Sequence, residues 1–157
     1  MLRPGPDGTD GLLNSPDRCS VGSIPDVPQA ISPFKLDTFE PQPPYAQDGG
    51  VSYGRVLISK TFSGDLLAHS QVEMLAVRAD PVGAGYVALE RIEGSLHGKN
   101  GSFALLHVGT MLGDAPWAMW PVSPGSGTGE LTGISGEARI EIDEAGAHTL
   151  FLDYQLS

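Results

Sequence analysis

The sequence is poor in cysteine, in basic charge and in long apolar runs, and each shortage narrows what the chain can be. Cys19 is its single cysteine, which excludes an intramolecular disulfide framework and a cysteine-rich zinc module. Lys and Arg number 9 against 19 Asp and Glu, a net charge of −10, and no two basic residues are adjacent. Nucleic-acid binders need a basic stripe that displaces counterions, and anionic membrane surfaces attract clustered Lys and Arg, so neither partner is expected. No apolar span approaches the ~18 residues of a membrane helix, and residues 1–30 contain no run that reads as a signal peptide. We therefore expect a soluble, cytoplasmic protein. Also missing is any segment with 10–12 residues of helical spacing, so parallel βαβ units are not expected.

What is present points to one β domain. A chain of 157 residues with 40% hydrophobic content can bury roughly 68–70% of its unfolded surface around a single core. Nine of the 13 prolines fall within residues 1–44, and 17 of the 21 glycines lie after residue 48. That shift places a boundary at 32/33. Residues 1–32 lack hydrophobic periodicity and carry Asp-Gly, Ser-Pro and Pro-Asp breakers. They read as an irregular extension, either a disordered leader or a lid anchored by Leu12, Leu13, Val21 and Ile24. Residues 33–157 read as short strands: Phe34–Phe39, Val51–Phe62, Leu66–Val77, Tyr86–Leu96, Phe103–Met111, Gly129–Ile134, Ala138–Ile142 and His148–Leu156. Each is rich in β-branched, aliphatic or aromatic residues and bounded by turn formers. About eight antiparallel strands with period-two alternation predict an all-β fold, a single antiparallel barrel whose closure removes exposed edges.

The hairpin Tyr86–Met111 carries the strongest chemical signal. Tyr86, Ala88, Glu90, Ile92 and Leu96 share one face of its first strand, and Phe103, Leu105, His107, Gly109 and Met111 share one face of its second. An even-length connection that places Leu96 beside Phe103 brings Glu90 and His107 together, opposite or one pair off, among apolar neighbours. Desolvation there is expected to raise the Glu90 carboxyl, tuning an acid–base pair toward neutrality. A buried glutamate–histidine hydrogen bond that only closes a polar pair in the core is the plainer alternative. On the opposite face, Val87, Leu89, Leu106 and Val108 form an apolar patch that suggests a homodimer.

Other candidates are weaker. Glu73 and Glu130 suit solvated outer positions. His69, His97 and His107 with Glu90 lack His-x-His or His-x-x-x-His spacing, so no metal is expected, nor any cofactor. Trp117 and Trp120 lie in Leu112–Gly127, which reads as a long loop at a binding-site rim or an oligomer contact. Gly125-Ser126-Gly127-Thr128-Gly129 has no following helix and no P-loop lysine, which excludes a phosphate loop, and it lacks the strand–turn–helix context of a nucleophile elbow.

The strings GYVALERIEGSLHGKNGSFALLHVGTM and VSPGSGTGELTGISGEARIEI, with Gly64-Asp65-Leu66 and Ser70 before them and DYQL at the end, resemble the bacterial family of domain of unknown function 3224. The resemblance covers residues 34–157, with Lys99 and Leu106 departing from the family pattern. It implies a barrel like that of allene oxide cyclase, a group whose members bind apolar small molecules and catalyse cofactor-independent isomerisations or cyclisations. Fold likeness does not set function, but it favours an apolar polyketide- or lipid-like small-molecule ligand inside the barrel. In that reading Glu90 and His107 are the catalytic pair, and Tyr86, Phe103, Met111, Trp117, Trp120 and Tyr154 line or rim the cavity. The alternatives are a non-catalytic carrier or sensor, and a barrel whose interior is filled.

Overall fold

Strand alternation in this chain closes on itself. The computed structural model describes residues 27–157. It contains nine strands: β1 (Gln29–Pro41), β2 (Ala46–Asp48), β3 (Val51–Phe62), β4 (Leu66–Ala79), β5 (Gly83–Leu96), β6 (Lys99–Leu112), β7 (Ala115–Pro121), β8 (Ile134–Ile142) and β9 (His148–Leu156). All neighbours are antiparallel, in the order β1-β9-β8-β7-β6-β5-β4-β3-β2. β1 also pairs with β3, so eight strands form a closed barrel and β2 is an added ribbon on the edge of β3. The handover occurs at Phe34, which pairs with His148 on β9 and with Phe62 on β3. Just beyond it a bulge between Leu36 and Thr38 shifts the register and bends β1 into closure. No helix among the described residues is long and apolar enough to cross a membrane.

Three elements differ from the sequence expectation. β1 begins at Gln29, ahead of the boundary placed at 32/33, because Ala30 and Ser32 are buried against β9 and the β3–β4 turn. Residues 1–26, including Cys19 and the lid anchors, lie outside the described residues. Ala115–Pro121 is a strand where a loop was expected. Pro116 and Pro121 disguised it, since proline cannot donate to a ladder, and β7 meets β8 through only Trp120 and Pro121. Gly129–Leu131, expected as the start of a strand, is a 3-10 turn whose Leu131 is 1% exposed.

That turn explains the GSGTG segment. β7 covers only the second half of β6, Val108–Leu112, so the first half lacks a full strand partner on that side. The loop supplies one. Ser126 Oγ accepts the Ala104 N–H, Thr128 Oγ1 accepts that of Ser102, and the Glu130 carboxylate accepts that of Asn100. Donors that would otherwise be costly to leave unpaired are thereby satisfied, and Glu130 is a tie between loop and strand.

Inside, one half of the barrel is solid. Phe34, Phe62, Leu66, Ile92, Leu96, Phe103, Leu105, Leu131, Leu150 and Leu152 form its core. Each fully buried large side chain there contributes about 1.5–3 kcal/mol by leaving water.

Candidate functional site

The inward faces of β3 to β6 bring four polar side chains to one level of the barrel. Glu90 on β5 is 1% exposed and His107 on β6 is 6% exposed. His107 Nε2–H donates to Glu90 Oε2 at 2.7 Å. Lys60 on β3 donates to the same oxygen at 3.0 Å, and Ser70 Oγ on β4 donates to Oε1. In register terms Glu90 sits beside Leu105 and His107 beside Ala88. The pair is therefore diagonal, and the stagger of barrel strands brings such diagonals level. The Lys60 ammonium also lies 4.9 Å from the centre of the Phe34 ring, a cation–π contact that helps offset its burial.

Two expectations change here. The hairpin register differs, because β5 and β6 are joined by a two-residue turn, His97-Gly98, which pairs Leu96 with Lys99 and Ile92 with Phe103. Both turn residues have positive φ, 46° and 81°, which fits the twist of a tight hairpin. The difference from the expected register is an even number of residues, so Glu90 and His107 stay on one face. The electrostatics also reverse. Burial alone pushes the Glu90 carboxyl up, but the His107 hydrogen bond, the Lys60 and His107 charges and the Ser70 hydrogen bond outweigh it, and its pKa lies below the ordinary 4.5. Glu90 is an ionised carboxylate in a satisfied ion cluster, and none of the buried side-chain polar atoms among the described residues lacks a partner.

Beyond this layer small side chains are interspersed among the large ones and the barrel opens. Ala76, Ala84 and Ala118, with Met74, Tyr86, Met111, Trp117, Trp120, Ile140 and Ile142, line a mouth cavity of about 460 Å³. The Tyr86 ring lies against Gly109, where a β-carbon would fall 2.3 Å from it. Glycine at that point lets the aromatic cover the backbone. Burial raises the Tyr86 phenol pKa, keeping it neutral.

The structure thus gathers Tyr86, Met111, Trp117 and Trp120 on the cavity and leaves Phe103 and Tyr154 elsewhere. Phe103 is 2% exposed in the solid core. Tyr154 points to the other end of the barrel, where its hydroxyl meets His97 Nδ1 at 2.6 Å. There its phenol is raised by burial and by the nearby Asp65 charge. Glu90 and His107 are not on the cavity lining; they lie beneath its floor. Lys60 was missed because Leu57 makes both faces of β3 look apolar, though its place in the Val56-Ile58-Lys60-Phe62 stripe is a usable signal. Among the described residues no three His, Cys, Asp or Glu side chains converge as metal ligands. Glu73 faces outward, as its position suggested, and accepts a hydrogen bond from Arg55 at 2.7 Å.

The family model described as protein of unknown function (DUF3224) matches residues 30–154. The chain belongs to the DUF3224 family. A crystal structure of a DUF3224 protein of unknown function from Shewanella oneidensis MR-1 is 39% identical to it. The match covers 83% of this chain and 97% of that one, with a TM-score of 0.77. Among curated proteins none matches. The likeness to that crystal structure supports the fold, and neither comparison carries an activity with it.

Proposed function

We propose that this DUF3224 barrel binds an apolar small molecule in the open half of its interior. The observation that supports this is the change along the barrel, from a packed core to an open, mostly apolar cavity of about 460 Å³. Ligand pockets typically run to about 300–1,000 Å³ and are mostly apolar. Both tryptophans of the chain line it, so indole emission reports on occupancy. Titration with methyl decanoate should give a saturable change in emission. Flat emission and no calorimetric heat would contradict the reading.

A second reading, a cofactor-independent isomerase or cyclase, is favoured by the buried, ionised Glu90 one layer beneath the cavity. Glu90 would act as base and His107 as its partner, with the Tyr86 ring moving off Gly109 to admit the substrate. A strain lacking the protein should then replace one metabolite by another of identical mass, with wild type and not His107→Gln reversing the change. Complementation by both would make the pair structural.

A homodimer is the third part of the proposal. Leu75, Val87 and Leu89 are about half exposed and pair with one another or with Leu106 and Val108 across β4 to β6. Such a contiguous apolar face favours a second copy. Light scattering at twice 16.5 kDa supports this, and the monomer mass contradicts it.

A further inference from the structure

We propose that the ligand of the open half is an amphiphilic carboxylate, with its apolar body in the cavity and its headgroup on Arg78 at the lip. This rests on the binding reading above and names its ligand class. In a chain with 19 acidic and 9 basic residues, the one charged side chain on the cavity lining among the described residues is an arginine, and no acidic side chain among them lines it. Arg78 follows Met74 and Ala76 along the inward stripe of β4, so it stands at the outer end of the apolar wall.

Its present partner is weak. Arg78 lies 3.5 Å from Asp80, with the two side chains 67% and 74% exposed, and exposed pairs contribute only about 0–1 kcal/mol. A guanidinium offers five N–H donors in a planar fork that matches a carboxylate, and the one contact with Asp80 leaves most of that capacity free for a ligand. Elsewhere on the lining, Met111, Trp117, Trp120 and Ile140 offer only apolar or indole surface. A molecule charged along its length would be desolvated there without a partner. The arrangement therefore selects a single anionic end joined to an apolar body.

The test compares decanoate with methyl decanoate on the full-length protein, read by tryptophan emission and calorimetry, in wild type, Arg78→Gln and Asp80→Asn. Decanoate should bind wild type more tightly than the ester does. Arg78→Gln should weaken decanoate by roughly fivefold, the scale of an exposed charge pair, and leave the ester within twofold. Asp80→Asn, which removes the competing carboxylate, should tighten decanoate, and added salt should weaken decanoate alone. Equal affinities for acid and ester that ignore Arg78 would overturn the headgroup assignment and leave the cavity reading standing. If neither compound binds, both fall.

Discussion

The two halves of the barrel share one strand alternation and differ in what the inward positions carry. On β5 the inward series runs Leu96, Ile92, Glu90, Ala88, Tyr86, Ala84, and on β6 it runs Phe103, Leu105, His107, Gly109, Met111. Large aliphatic and aromatic side chains at one end meet across the axis and exclude water, while at the other alanine and glycine alternate with Tyr86 and Met111 and leave a cavity. Eight strands enclose an interior that side chains can just fill, so whether such a barrel is solid or hollow depends on residue size at a few positions. The boundary between the halves is the Lys60–Ser70–Glu90–His107 layer. Its charges are taken up by one another, which lets it separate a dry core from a cavity.

The largest effect expected along this comparison is at the boundary. Glu90→Leu leaves the Lys60 ammonium buried without its carboxylate and should destabilise by about 3–5 kcal/mol in urea unfolding. Lys60→Met combined with Glu90→Leu should recover much of that loss. The same carboxylate gives a pH signature. Because its folded pKa lies below 4.5, its contribution is fully present above that value and is lost as pH falls through the depressed folded value. Glu90→Gln should therefore flatten the acid limb of a stability–pH profile below about pH 4.5, and an unchanged acid limb would contradict the ionised assignment.

Next comes the solid half. Leu105 is 0% exposed, and Leu105→Ala should cost about 2–5 kcal/mol. The matched change in the open half, Met111→Ala at a residue 42% exposed, should cost under about 0.5 kcal/mol while weakening ligand binding. Similar losses at both sites would mean that the halves are not built differently.

How much of this could be read from the sequence follows from what alternation encodes. Period two fixes which face a side chain takes, so the barrel and the shared face of Glu90 and His107 were legible. It does not fix height along the barrel axis, which depends on register and stagger. For that reason Tyr154 and Phe103 were grouped with Trp117 and Trp120, although they belong to opposite halves. Lys60 was passed over because a lysine in a strand with apolar residues on both faces defaults to the wet side, although its place in the Val56-Ile58-Lys60-Phe62 stripe marks it as inward. β7 was hidden by Pro116 and Pro121, and the 3-10 turn by glycines that suit either a bulge or a turn. The closing role of Ser126, Thr128 and Glu130 depends on the shortness of β7, which no local pattern announces.

If the hollow half is a binding site, a variant that fills it should no longer bind. Ala118 faces the cavity between Pro116 and Trp120 on β7. Binding isotherms for methyl decanoate on wild type and Ala118→Phe, with thermal unfolding of both, decide the matter. Wild type should give a saturable isotherm and Ala118→Phe none, with melting temperatures that remain close. Equal binding by the two proteins would place the ligand outside the barrel and contradict the claim.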